Sequence, residues 1–531
     1  MRQALDRFFG FGRHRTTLAR DSFAGATTFI VMSYIIFVDP NILTGVKGPH
    51  GQTLPFSGVL TSTCLVAAVM TILMGVYTNR AYALAPGLGI NAIVAFTLVG
   101  TLHLSFPSAM GLIVLEGLVV TALVLTGLRE TIMRAIPLEL KKAIAIGIGL
   151  FIAFIGFYNS GIVVKSPSPD VPVELARLTT WPILVTIFGL AVTIFLRALR
   201  FRGDLLVGII TTTALATIIN ETHNDKAIPI GAQLPDHVYE RPDLSLLGNF
   251  DFHAFSHIGG STGTAAVISS LAWVFTLFLS DFFDTMGTLV GVGRTAGYLD
   301  SRGELPEIRK PLLVDSLAAV AGGSASASSA TTYIESGSGV AQGGRTGWVS
   351  VVAGALFLPF MFFSPVIGMV PPQATAPALI LVGWLMISTL TEYEEEADTG
   401  ERRGRALAGI DFLDVAVGIP AALVIMVMPF TWNISNGIGF GFIAYCLIRA
   451  AQRRRQDIHP LMAIVSAAFA VYFIIPRCCR TTSPGSSRAA LEHVEAAAHG
   501  APSQETHAQA ARAQARQEEA PFHQDARAPA S

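Results

Sequence analysis

Residues 279–291 read LSDFFDTMGTLVG, and they continue the apolar run SSLAWVFTLFL (269–279). Two carboxylates, Asp281 and Asp284, therefore lie deep inside sequence that otherwise suits lipid. Residues 329–340, SATTYIESGSGV, hold a third, Glu335, flanked almost wholly by small residues. Near the centre of a bilayer a carboxylate costs roughly 2.5–3.5 kcal/mol even on a lenient insertion scale, so such groups persist where they bind something, relay protons or pair with one another. The expected molecule is a membrane protein with an acidic site in its interior.

Composition agrees. The 531 residues are 51% hydrophobic and only 14% charged, against about 25% charged in ordinary soluble domains. Mean hydropathy is +0.54. This is the profile of an all-α polytopic membrane protein, with the lipid bilayer as its partner. A net charge of −1 offers no broad basic surface, so no nucleic acid is expected. Cys64, Cys446, Cys478 and Cys479 make no C-x-x-C motif, and neither a disulfide framework nor a metal site follows. The Arg-rich start lacks a small-residue cleavage site and reads as uncleaved. GVGRTAG (291–297) has clustered glycines but no preceding strand and not the spacing of a dinucleotide fingerprint.

Apolar windows give about fourteen spans. The clearer ones start near Ser22, Ser57, Ala109, Ala143, Trp181, Leu205, Ala265, Trp348, Ala374, Phe412 and Ile434. Three more are short or interrupted by Gly, Pro and Ser: residues 83–99, 312–327 and 330–341. LMAIVSAAFAVYFII (461–475) is short for a span and suits the interface. Arg13, Arg15 and Arg20 precede the first span. Further basic groups follow the fourth (Arg129, Arg134, Lys141, Lys142), sixth (Arg197, Arg200, Arg202) and eighth (Arg294, Arg302, Arg309, Lys310). Others follow the twelfth (Arg402, Arg403, Arg405) and fourteenth (Arg453, Arg454, Arg455). With fourteen spans all lie on one side, which the positive-inside rule makes the cytoplasm, with both termini there. The loop after the seventh span would be external; its His223, His237, His253 and His257 read as solvated. The acid run Glu394–Glu396 reads as a solvated cytoplasmic loop. From about Arg477 the chain is rich in Ala, Gln, Arg, Glu and Pro and cannot bury a core, so a disordered tail is expected.

ALAPGLGINAIVAF (83–96) and ASSATTYIESGSGVA (327–341) occupy matching places, third in each half. Each has helix-breaking or small residues, then one polar residue (Asn91 or Glu335), then a short helix-compatible run. Paired interrupted segments in two halves point to inverted repeats. Non-helical backbone at that depth is tolerated only where protein or a cavity satisfies it, and half-helix N-termini there present free N–H groups. The alternative is that Gly and Ser merely allow close helix packing.

TTFIVMSYIIFVDPNIL (27–43), APGLGINAIVAFT (85–97), SDFFDTMGTLVGV (280–292) and TTYIESGSGVAQGGRTG (331–347) together resemble the AzgA-like purine permeases, a branch of the nucleobase–cation symporter-2 (xanthine/uracil permease) family. The resemblance runs from about Thr16 to about Ile475, with four motifs in order and spacing. It implies seven-plus-seven inverted repeats, with short extended stretches of the third and tenth segments meeting at the midplane. Residues 1–21 would be a cytoplasmic N-terminus, 22–128 core spans one to four and 139–222 gate spans five to seven. Residues 223–262 would be the external loop, 263–368 core spans eight to eleven and 374–450 gate spans twelve to fourteen. A basic linker with the short apolar segment (451–476) and the tail (477–531) complete the chain. The resemblance further implies proton symport of a free purine base at the plasma (inner) membrane, with homodimers through the gate.

The residues suit that cargo. Asp281 and Asp284, three apart, share roughly one helix face, and Thr288 continues it. A carboxylate accepts from a base's ring N–H and exocyclic NH2. By likeness, Asp284 matches the eighth-span acid facing substrate, Asp281 is the second acid of that motif, and Glu335 matches the tenth-segment acid on the other side. Asn91 can donate and accept, which suits a purine edge. Thr332 and Ser336 offer hydroxyls or backbone N–H groups. Phe283 and Phe29 are stacking candidates, although a transmembrane aromatic more often packs. Burial disfavours a charged acid, so Asp281, Asp284 and Glu335 between them are expected to hold the purine and the coupled proton. No cofactor is expected beyond that coupling ion, H+. Glu116 and Asp315 match no substrate motif; Asp315 is expected to brace the core. The competing function is a facilitator or channel for another small solute or anion on the same layout. Acids in place of Arg or Lys argue against an anion. Without paired His ligands, a Ser–His pair or a phosphate loop, neither an enzyme nor an ATP-driven pump is expected.

Overall fold

A computed structural model describes residues 2–49, 51–127, 136–166, 171–222, 227–228, 231–300, 305–388, 410–454, 456 and 458–480. The chain divides into two units, Met1–Tyr472 and Phe473–Ser531. Arg129, Arg134, His223, Arg302, Glu394–Glu396, Arg402, Arg403, Arg405, Arg455 and the tail beyond Arg480 lie outside the described residues.

Helix dominates. In chain order the first half holds α1 (Arg2–Phe9), α2 (Leu18–Met32), α3 (Ile35–Thr44), α4 (Phe56–Thr78), β1 (Leu84–Pro86), α5 (Leu88–Ala92) with a π-helical continuation (Ile93–Thr101), α6 (Phe106–Thr126), α7 (Leu138–Asn159), β2 (Val163–Lys165), β3 (Val173–Leu175), α8 (Trp181–Ala198) and α9 (Asp204–Thr222). The second half holds β4 (His257–Ile258), β5 (Ser261–Thr262), α10 (Thr264–Ala296), α11 (Arg309–Ser324), β6 (Ala330–Thr332), α12 (Ser336–Val340), α13 (Trp348–Phe357), α14 (Ser364–Gly368), α15 (Pro372–Ser388), α16 (Val415–Phe430), α17 (Ile434–Ala451) and α18 (Pro460–Arg480). Every one of the fourteen apolar segments contains helix. Among the described residues the sheets are two-stranded antiparallel pairs. The segment at 461–475 belongs to the longer α18, and helix continues past the expected tail boundary to Arg480.

Among the described residues, eight helices are long and apolar enough to cross a bilayer, including 18–44, 106–126 and 264–296. Others, such as 88–101 and 415–430, are apolar but shorter. The 33 residues of α10 extend about 50 Å at 1.5 Å per residue. The first long helix is broken at Ser33–Tyr34, where the Ser33 hydroxyl bonds back to Ile30 O (2.9 Å). Such back-bonding bends helices, and α3 resumes with Pro40 inside it.

Two groups of helices emerge from the packing. In one, α6 lies on α11, α4 on α13, α2 on α12 and α13, and α10 on α6. In the other, α15 lies on α7, α16 on α7 and α17, and α8 on α9 and α15. Glycine sets the closest crossings. A Cβ on Gly75 would lie 2.3 Å from Gly347 O, and one on Gly347 would lie 1.9 Å from Gly75 O. Gly149 and Gly383 meet the same way across α7 and α15. Where lipid is as apolar as leucine, such close backbone approach is a main source of helix affinity.

Candidate functional site

The site is organised by two strands from opposite halves of the chain. Leu84, Ala85 and Pro86 pair antiparallel with Thr332, Thr331 and Ala330. Gly87 N–H to Ser329 O (2.8 Å) and Tyr333 N–H to Ala83 O (2.9 Å) extend the ladder. The local sequences dictate extended backbone here. Pro86 restricts Ala85 away from helix, and Ser326 and Ser328 take left-handed φ of 58° and 62° just before β6. On its other edge β1 is satisfied by Thr71, whose hydroxyl donates to Leu84 O and accepts from Leu84 N–H, both at 2.9 Å. Protein thus meets the hydrogen-bonding needs of this non-helical backbone, the condition for it to exist at membrane depth.

Carboxylates surround this crossing. Asp284, half-buried on α10, accepts a hydrogen bond from the Thr331 hydroxyl of β6 (3.3 Å). Glu335, at the start of α12 and 7% exposed, accepts from the Tyr34 hydroxyl (2.7 Å). Tyr34 sits in the break between α2 and α3, so the broken first helix serves the tenth segment directly. Tyr333 donates its hydroxyl to Pro86 O and lies within electrostatic reach of Glu335, Asp39 and Asp284. Asp284 is within the same reach of Asp315 and Glu335. Asp281 is fully buried one turn before Asp284, and Thr288 is buried one turn after it.

Several expected contacts have other partners. Both polar groups of Thr332 go to Asp315, the amide at 3.0 Å and the hydroxyl at 2.9 Å. Ser336 donates to Tyr333 O (2.6 Å) and accepts from Ala83 N–H (2.9 Å), while its own amide bonds Tyr333 O. These bonds hold the crossing together and engage the donors of Thr332 and Ser336 within it. Phe29 packs edge-on against Phe357 (5.0 Å) and tilted on Phe360 (5.4 Å), as core aromatics do. The Phe283 side chain lies outside the described residues. Asp315 is a brace: it takes the Thr285 hydroxyl on both oxygens (2.8 Å each) as well as Thr332, tying α10, α11 and β6. Glu116 meets the Ser329 hydroxyl at 3.5 Å.

Asn91 is fully buried on α5. Its Nδ2 donates to Asp39, and the Thr63 hydroxyl donates to the same carboxylate. Asp39, Tyr34 and Tyr333 escape a reading of the sequence for binding residues. Asp39 carries the signal used for Asp281: a carboxylate in an apolar run, IIFVDPNIL. Tyr34 carries none, since its partner is 301 residues away.

Comparison with known proteins places the chain. The xanthine/uracil permease model, described as a permease family, matches residues 20–425. Adenine permease AdeQ of Escherichia coli is 35% identical over 89% of this chain and 96% of its own. Guanine/hypoxanthine permease PbuG of Bacillus subtilis is 36% identical over 88% and 99%. Solved structures share the fold at low identity. The transmembrane domain of the cyanobacterial bicarbonate transporter BicA matches with a TM-score of 0.53 at 15% identity, covering 79% of this chain and 97% of that one. SLC26A9 matches with a TM-score of 0.54 at 10% identity, covering 82% and 65%. Sequence relatives and architecture agree that the chain is a multi-pass membrane permease and not an enzyme, and that it belongs to the xanthine/uracil permease family of nucleobase–cation symporters.

Proposed function

We propose that the protein takes up purine nucleobases (adenine, guanine or hypoxanthine) with protons, by alternating access across the plasma membrane. The observation that carries this is the pair of carboxylates, Asp284 and Glu335, set beside the β1–β6 crossing and each held by a hydroxyl from another element. Carboxylates accept what a purine edge offers, ring N–H and exocyclic NH2. Relatives that bear the names of adenine and guanine/hypoxanthine permeases support that cargo. A buried acid that can be neutral or charged supplies the coupling: protonated with the base bound, it moves without net charge and releases the proton inside. Asp281 is the third acid of this set, and Asn91 completes the polar lining.

The finer architecture is two seven-segment repeats, with both termini in the cytoplasm and the second helix group as a dimerising gate. Packing supports the repeats because contacts recur in matched pairs: α4 on α13 with α6 on α11, α8 on α9 with α16 on α17, α2 on α13 with α6 on α10. The basic residues gathered on one side support the orientation. A channel for a small anion on the same fold is disfavoured by the acids.

The test is uptake of labelled adenine and hypoxanthine, competed by unlabelled bases at two pH values, in cells lacking their own permeases. Saturable uptake that rises at lower external pH and collapses with a proton ionophore is expected. Uptake indifferent to both would reject symport, and no uptake of any purine would reject the cargo.

A further inference from the structure

We infer that Asp39 is a positioning residue for substrate selection: it locks the Asn91 amide so that the carbonyl oxygen, and not the NH2, is presented to the base. The inference deepens the purine reading above and rests on it. Asp39 lies on α3 in the first segment, is fully buried, and is not part of the acid pair described there. Its two oxygens take Asn91 Nδ2 and the Thr63 hydroxyl. Asp39 Oδ1 accepts from that NH2, and a carboxyl oxygen that carries no proton can only accept, so the amide turns its NH2 toward Asp39. The other arm of the same amide, Oδ1, is then left over. That oxygen is buried and meets no protein donor. A buried acceptor without a donor is costly and calls for an explanation.

A ligand donor is the explanation the surroundings offer. Asn91 follows β1 by a single turn. Its helix α5 packs against α3, which carries Asp39, and against α10, which carries Asp284. Asn91 therefore stands beside the helix that bears Asp39 and the helix that bears Asp284. With the amide locked, the site offers an acceptor at each of three positions: Asn91 Oδ1, an Asp284 oxygen and a Glu335 oxygen. Such a set selects purines by their N–H groups. Sites built to pair a ligand's N–H discriminate strongly against analogues that lack it, because the buried acceptor is left bare.

The experiment measures competition against labelled hypoxanthine uptake by hypoxanthine and by its 1-methyl, 7-methyl and 9-methyl derivatives, each of which deletes one N–H. The variants are Asp39→Asn, Asn91→Asp and the exchange Asp39→Asn/Asn91→Asp, with transporter quantified in the membrane. In the native protein at least one methyl derivative competes about tenfold or more weakly than the parent. In Asp39→Asn the amide is no longer locked: KM for hypoxanthine rises on the order of tenfold, and the methyl penalty shrinks to within about threefold. The exchange restores an oxygen toward the base, with the residue at 39 now donating to the carboxylate at 91. Both KM and the penalty then return to within about threefold of native. Should Asp39→Asn not accumulate, the exchange alone carries the test, since a mere brace would not preserve the analogue pattern. A lower Vmax in Asp39→Asn with KM and pattern unchanged, or an exchange that reaches the membrane without recovering the pattern, overturns the assignment. Absence of any purine uptake by the native protein rejects instead the reading on which it rests.

Discussion

Replacing Tyr34 with phenylalanine removes one oxygen and leaves the ring. The ring is 1% exposed and keeps its packing, so the loss is confined to the 2.7 Å hydrogen bond to Glu335 Oε1. A hydrogen bond to a charged group contributes about 1.5–3 kcal/mol. At about 1.4 kcal/mol per decade that corresponds to roughly 10- to 150-fold in the occupancy of the oriented carboxylate. If Glu335 must be held to receive the base, Tyr34→Phe raises KM for purine uptake by at least about tenfold, at equal transporter in the membrane. Initial rates over a range of labelled base give KM and Vmax separately. A double-mutant cycle with Glu335→Gln sharpens the result. Residues that share one bond couple by more than about 0.5 kcal/mol, whereas independent sites add. A KM within twofold of native, or additive effects in the cycle, would refute the claim that Tyr34 positions Glu335.

Asp315→Ala strands three donors, the Thr285 hydroxyl and both polar groups of Thr332; at about 1–3 kcal/mol per stranded group it should abolish detergent-stable protein, whereas survival at native melting temperature would exclude the brace. Gly75→Ala needs α4 to move about 1 Å from the loop before α13, since its Cβ would otherwise sit 2.3 Å from Gly347 O. Overpacking of that kind costs about 1–3 kcal/mol, while Gly291→Ala, with nothing within 4 Å, should be neutral or stabilising in thermal melts. In the loop after α9, hydrogen bonds from the Ser245 amide (3.0 Å), then from Ser57 (3.1 Å), hold the Asp243 carboxyl below the usual carboxylate range. A depressed value means the anchoring is present above about pH 4 and is lost as pH falls through the folded value. Amide exchange in residues 240–247, corrected for intrinsic rates, should therefore rise in acid, and Asp243→Asn should reproduce that rise at neutral pH.

Much of this molecule could be read from its residues. Helical segments followed from apolar length, and the two interrupted segments from Gly, Pro and Ser placed where helix would otherwise run. Asp284 and Glu335 stood out because a carboxylate in apolar sequence needs a reason. What escaped was pairing between distant parts of the chain. Thr332 and Ser336 looked like hydroxyls offered to a ligand, yet Asp315 accepts the first and Tyr333 O the second. That is a matter of which strand lies beside which helix, and periodicity does not report it. Asp39 was legible by the same test as Asp281 but sat beside Pro40 in a stretch that read as motif. Tyr34 was invisible, because a tyrosine in an apolar helix advertises nothing until the helix is seen to break there.

The pairing of Leu84–Pro86 with Ala330–Thr332 also bears on how the protein is made. The earlier strand enters the membrane with its outer edge unmet, and its partner is about 250 residues away in the chain. At 5–20 residues per second of synthesis the wait is roughly 10 to 50 seconds. Throughout it the nascent first half holds an open backbone edge in lipid, and needs an insertase, a chaperone or water in a provisional groove to tolerate it. A chain that stalls before residue 330 never closes that edge, and quality-control proteases should recognise it by that defect alone.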